Sequence, residues 1–228
     1  FNSRWMAEGF NLQNSFMTDM LDQAISEGSV ANLDDFSTGL AWDTYLLDLD
    51  DEGYFFVDMA NGNVLQRQET NTSGHIREFT ASVGANYNDR VYIGATVGIP
   101  SVRYKEENTF TERDINNTND FFNSLTYKYS HETSGNGVNF KLGTIVRLNN
   151  MFRVGLALHT PTFYSLDEKY NASMRSDLNL DPDEYPDYTE EAKYAESPNG
   201  IFKYDLQTPL KAVGSLGITL GQMGLLSL

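Results

Sequence analysis

The sequence predicts an all-β protein, a transmembrane antiparallel β-barrel with small helices outside the membrane. Three observations predict it. Apolar residues alternate with polar or small ones over stretches of about ten residues. The connections between these stretches alternate short, long, short, long, short. Tyrosines and phenylalanines gather near the stretch ends, as in the aromatic girdles of membrane barrels.

Composition permits this fold and excludes others. The chain has 228 residues, 40% of them hydrophobic, and a mean hydropathy of -0.44. No apolar run approaches the roughly 18–20 residues a helical span requires, but a membrane strand needs only about 9–11, of which alternate ones face lipid. The formal net charge of -16 argues against nucleic acid or an anionic lipid surface as partner. With no cysteine, neither a disulfide framework nor thiol chemistry is available. The opening FNSRWMAEGF has no signal-peptide pattern, so the expectation is that processing or truncation has removed the start.

Along the chain, NSFMTDMLDQAISEG reads as a helix. Phe16, Met17, Met20, Leu21, Ala24 and Ile25 keep helical spacing, Asn14 or Ser15 caps the start, and Gly28 ends it. A weaker helix is expected from about Asp34 to Leu46. From 78 onward the period becomes two. Phe79, Ala81, Val83, Ala85 and Tyr87 form one apolar face, and beyond the Asn88-Asp89 turn Val91, Ile93, Ala95, Val97 and Ile99 continue it.

A polar loop is expected over 105–124, followed by a very long strand kinked near 134–137. Its apolar face holds Phe140, Leu142, Thr144, Val146 and Leu148, and Asn149-Asn150 turns into Phe152, Val154, Leu156 and Leu158. The other face of that hairpin carries Asn139, Lys141, Gly143, Ile145, Arg147, Arg153, Gly155, Ala157 and His159. A loop over 166–202 leads to KYDLQTPLKAVGSLGITL, a short GQMG turn and the start of another strand.

Gly84, Gly94, Gly98, Gly143, Gly155 and Gly217 fall on the inward face, where a missing side chain lets another piece of backbone approach. A soluble β-sandwich is the competing fold, but its strands average about 5–6 residues, well short of these. The barrel therefore has the apolar face against lipid. The expected organisation is an extracellular helical loop region with a connecting strand over 1–77, then barrel strands with long extracellular loops over 78–228. Together they make one domain, incomplete at both ends.

The pieces RVYIGATVGI, SGNGVNFKLGTIVRL, FRVGLALHTPTFY and TPLKAVGSLGITL, in this order and spacing, resemble the FadL/TodX family of outer-membrane transporters for hydrophobic compounds. LAWDTYLLD and HTPTFYSLDEKY are similar to its Bacteroidetes-type members. The resemblance covers most of 78–228 and, more loosely, 1–57. It implies a FadL-like barrel of about 14 strands in the Gram-negative outer membrane, its lumen closed by an N-terminal hatch. It also implies passive uptake of long-chain fatty acids or other hydrophobic compounds, with no enzymatic activity and no cofactor.

Expected partners are hydrophobic small molecules, outer-membrane lipid and lipopolysaccharide, and other outer-membrane proteins, but not nucleic acid. The alternative is a non-transporting FadL-like subunit, structural or shuttling, of a larger outer-membrane assembly such as a secretion complex. This chain departs from the family in showing no hatch and only about five complete strands after 78, too few to close a barrel. The expectation is a middle piece of a longer chain.

Two sets of residues are candidates for substrate binding. Phe16, Met20, Leu21, Phe36 and Leu40 would form a greasy entry groove, methionine supplying adaptable surface; the other reading is a loop helix packed on its neighbours. Lys141, Arg153 and His159, with Arg147, are inward cations able to hold a carboxylate, or else to pair with lumen acids or meet solvent.

DLDDEG from Asp48 begins like a calcium loop, but Met59 stands where the bidentate Glu belongs, which excludes an EF-hand and leaves at most a looser surface cation site. His75, His131 and His159 are too scattered for a metal centre. Asn116 and Asn171 sit in Asn-x-Ser/Thr patterns without consequence in a bacterial setting, and no hydrolase, P-loop or dinucleotide motif occurs.

Overall fold

The computed structural model describes residues 1–57, 62–220 and 224–228. Strands hold 60% of the residues and helices 10%, so the chain is all-β as expected. β1 (Asn2–Asn11) leads into α1 (Phe16–Glu27), a 3-10 turn (Val30–Asn32) and α2 (Thr38–Asp43). A small hairpin follows, β2 (Asp48–Leu49) with β3 (Phe55–Phe56). The main sheet continues with β4 (Val64–Tyr87), β5 (Val91–Arg113), β6 (Phe122–Arg147), β7 (Phe152–His159) and β8 (Phe163–Leu178). It ends with β9 (Tyr194–Glu196), β10 (Gly200–Gln207), β11 (Lys211–Thr219) and β12 (Leu225–Ser227). The strand order is β1-β4-β5-β6-β7-β11-β12, and β8 pairs with β6, β9 and β10.

Several expected loops are strand. β4 begins at Val64 rather than near 78, β5 runs through the expected loop to Arg113, and β8 runs to Leu178. The extensions VLQRQETNTSGHIR and RYKEENTFTER carry polar side chains on both faces, so they lack the period-two signal while keeping the backbone ladder. The intervening connections shrink to 114–121 and 179–193.

The tight turns form as expected. Asn88 and Asp89 have φ of 51° and 54°, the left-handed pair a two-residue hairpin turn needs, and the Arg90 amide closes on the Tyr87 carbonyl at 3.1 Å. At the second turn the Asn149 side chain accepts the Met151 and Phe152 amides. Of the expected GQMG turn, 221–223 lie outside the described residues.

The chain divides into two units. Unit 1 comprises Phe1–Gly74, Tyr104–Glu132 and Lys169–Ile201; unit 2 comprises His75–Arg103, Thr133–Glu168 and Phe202–Leu228.

Unit 1 has a packed core. α1 contributes Met17, Met20 and Ala24, α2 contributes Leu40 and Ala41, and the strands add Val64, Phe122, Leu125, Ala172 and Met174. α1 is capped as its sequence foretells: Ser15 Oγ accepts the Met17 amide, Thr18 closes a capping box, and Gly28 ends the helix at φ 80°. The second helix is shorter than expected, six residues instead of the span from Asp34 to Leu46. β1 pairs with β4, and Arg4 meets Glu69 at 2.8 Å. The hydrogen bond from Arg4, then that from Asn71, holds the Glu69 carboxyl down at about 2.

Unit 2 is built the other way round. Phe79, Val83 and Leu142 stand 70%, 72% and 58% exposed along one face of its strands. The alternation there is the predicted one, and its apolar side is uncovered.

Candidate functional site

In unit 2 the register builds a face of defined chemistry. His159 of β7 lies opposite Lys141 of β6 on one side and Lys211 of β11 on the other. Directly opposed residues of an antiparallel ladder project to the same face, so the three form a basic row. Two residues further along the strands come Gly143, Ala157 and Val213, and then Ile145, Gly155 and Ser215. These two rows line an apolar trough of about 430 Å³. Arg147 and Arg153 face each other beyond it, beside the turn.

Glu78 neutralises one member of the basic row: Lys141 Nζ lies 3.0 Å from both its carboxylate oxygens, and Asn139 Nδ2 donates to it at 2.9 Å. Gly98 makes room for this pair, since a Cβ there would collide with Glu78 Oε1 and Asn139 Oδ1. At Gly155 a Cβ would meet the Ser215 hydroxyl. The close neighbours at both glycines are side chains rather than the backbone expected, while at Gly84, Gly94, Gly143 and Gly217 a Cβ would meet only ordinary contacts. Those four glycines leave the face smooth.

Of the predicted cations, Lys141 and His159 come together and Arg153 does not. Arg153 lies six residues from His159 along β7, about 20 Å away. Sequence reasoning missed Glu78 and Lys211. Lys211 keeps the alternation of its own strand, but only the long-range pairing of β7 with β11 brings it to His159.

The five apolar candidates lie in unit 1, and of the two readings offered for them the burial fits the helix packed on its neighbours rather than the open groove. Met20 and Leu40 are 8% and 2% exposed, members of the core. Leu21, Phe16 and Phe36 pack against that core, and Ile25 turns outward. Phe16 stacks near Phe110 and Tyr127, with ring centroids 5.0 and 5.4 Å away, and Phe36 lies 5.1 Å from Tyr170. Helical spacing identified the buried face correctly but not what covers it.

Two tyrosines near a stretch end, Tyr127 and Tyr129, are partly buried against this core. Tyr127 donates to the Phe36 carbonyl at 2.9 Å, and burial pushes its hydroxyl up to about 12. Tyr129 packs on the same core. Phe163 remains exposed in unit 2.

The structure gives the acids of two segments local roles, one in the expected polar loop over 105–124 and one in DLDDEG. Glu112, within EENTFTERD, is fully buried on β5 and accepts from Ser15 Oγ, the Phe16 amide and Gln66 Nε2 at 2.7, 2.7 and 2.6 Å. The start of α1 thus supplies the donors a buried carboxylate needs. In DLDDEG, Asp50 accepts the Glu52 and Tyr54 amides and shapes the β2–β3 turn. Met59 lies outside the described residues. Among the described residues no group of three His, Cys, Asp or Glu is placed to hold a metal ion.

Fold and site define an all-β protein, mainly antiparallel, with one packed unit and one unit whose apolar face is uncovered. No protein-family model, curated protein or solved structure matches the chain.

Proposed function

We propose that the chain belongs to a FadL-like outer-membrane barrel that passively takes up long-chain fatty acids or other hydrophobic compounds. The observation that carries this reading is the two-sidedness of unit 2. Its apolar alternation lasts about ten residues per strand, the length that crosses a bilayer. Its opposite face is a smooth apolar trough ended by basic rows. A substrate would gain about 0.8 kcal/mol for each methylene it buries, so differential affinity along a path drives movement without ATP. His159 and Lys211, beside the Lys141–Glu78 pair, would hold an acidic head, and outer-membrane lipid and lipopolysaccharide would surround the apolar face.

A second reading, a structural or shuttle subunit of a larger outer-membrane assembly, is favoured by the packed state of Met20 and Leu40, which leaves no groove at that place. Native mass spectrometry of the protein gently extracted from its own outer membrane separates the two. A bound long-chain apolar molecule without a stoichiometric protein partner is the expected result. A stoichiometric protein partner and no bound small molecule would replace uptake by the subunit reading.

A further inference from the structure

The segment LAWDTYLLD, at the end of α2 in unit 1, folds into a feature that the uptake reading does not use. Trp42, Asp43, Tyr45, Leu47 and Asp48 line a cavity of about 260 Å³. That volume is below the range of drug-sized pockets and suits a smaller molecule. Two aromatic residues and two aspartates among the five that line so small a space point to one ligand chemistry. An aromatic face attracts a cation through its quadrupole, and carboxylates supply the countercharge.

The rings are held in place. Trp42 meets Phe55 edge-on at 6.4 Å and 88°. Tyr45 meets Tyr188 at 5.5 Å and Tyr185 at 6.4 Å, also edge-on. None of these three supporting rings lines the cavity, so they fix the orientation of the two that do. Next to the cavity the molecule already uses this chemistry, with Lys193 Nζ 5.5 Å from the centre of the Tyr188 ring.

Tyr45 itself occupies a costly position. α2 ends at Asp43, Thr44 caps it, and Tyr45 follows with φ 60° while the Leu46 amide returns to the Ala41 carbonyl at 2.9 Å. This is the place in a helix-ending turn where glycine is usual, because a side chain crowds the left-handed conformation. A tyrosine here sets its ring at the cavity wall.

The carboxylates are available. Asp48 accepts the Leu49 amide at 2.8 Å, and Asp43 is exposed. Among the described residues neither meets a lysine or arginine. Unit 1 as a whole carries 27 acidic and 8 basic residues, a field that concentrates cations at its surface.

We propose that this cavity binds a small organic cation of the quaternary or alkyl ammonium class, the ammonium against Trp42 and Tyr45 and its charge answered by Asp43 and Asp48. The site is independent of the uptake reading. The test uses the full-length protein in detergent, with choline chloride as probe and sodium chloride at matched ionic strength as reference. Within these 228 residues tryptophan occurs twice, so Trp5→Phe leaves Trp42 as their one tryptophan, and the calorimetry is independent of any other fluorophore. The expected result is a saturable change in Trp42 emission with choline, and heats of binding by calorimetry that agree.

Asp43→Asn with Asp48→Asn should weaken binding about tenfold, and Tyr45→Gly, which suits the turn while deleting the ring, about tenfold as well. Three results would overturn the proposal: no saturable signal beyond that of sodium chloride, unchanged affinity in both variants, or equal binding of 3,3-dimethyl-1-butanol, the neutral isostere of choline.

Discussion

The two units solve the same problem, what to do with apolar side chains, in opposite ways. In unit 1, Met17 and Leu125 are fully buried, and 27 acidic residues, Glu112 buried among them, stand against 8 basic ones for a formal charge of -19. In unit 2, Phe79, Val83, Leu142 and Leu156 stand exposed, and 5 acidic residues face 8 basic ones. Around that core unit 1 follows the rule for a fold in water, while Trp5 and Met6 of β1 stand exposed. Unit 2 follows it only if its surroundings are apolar, because so large an uncovered apolar face in water invites association. A single mean hydropathy of -0.44 averages these two patterns and describes neither.

The contrast can be broken most severely from inside unit 1. Phe122 is 2% exposed in the core, and Phe122→Ala should cost about 3–5 kcal/mol through lost burial and the cavity left behind. Loss of protease resistance confined to unit 1 peptides would show it; unchanged resistance would mean that this core does not hold the unit together.

The next test asks what unit 2 faces. Leu156→Arg places a charge on the uncovered side of β7, and if that side meets lipid it should cost about 2–4 kcal/mol at the bilayer midplane, reducing insertion into a bilayer. Ile25→Arg, on an exposed position of α1, should stay within about 0.5 kcal/mol of the parent. Equal, near-zero effects of the two substitutions would place both faces in water and remove the contrast.

What the sequence disclosed follows the same division. Signals carried by neighbouring residues were legible: the Ser15 cap, the Gly28 stop, the Asn88-Asp89 turn, and the alternation from Phe79 to Ile99. The long polar halves of β4, β5 and β8 were not, because a strand polar on both faces has no hydrophobic period to reveal it. For Met20 and Leu40 the apolar face was legible but the choice between an entry groove and a packed helix was not, since helical spacing marks a face without saying what packs on it. At the candidate site, Lys141 and His159 could be found within one hairpin. Lys211 and Glu78 required pairings between distant strands, and Trp42 with Tyr45 required a tyrosine where a turn would ordinarily take glycine.

The smallest expected effect concerns how unit 1 tolerates ionisation within its packed interior. Burial, more than the nearby Tyr129 and Asp34, raises the Tyr127 hydroxyl from its ordinary 10.0 to about 12, so the folded state favours the neutral form. The sign follows directly. Below pH 10.0 tyrosine is neutral in both folded and unfolded chains and the contribution to stability is fully present. Between there and about 12 the unfolded chain releases its proton first, and stability falls as pH rises. Tyr127→Phe removes the titrating group together with its hydrogen bond to the Phe36 carbonyl. The variant should therefore start slightly less stable at neutral pH and lose less between pH 10.0 and about 12, which denaturant titrations across that window would measure. If parent and variant fall in parallel, Tyr127 does not titrate within a closed core, and the distinction between a packed unit 1 and an uncovered unit 2 weakens at this point.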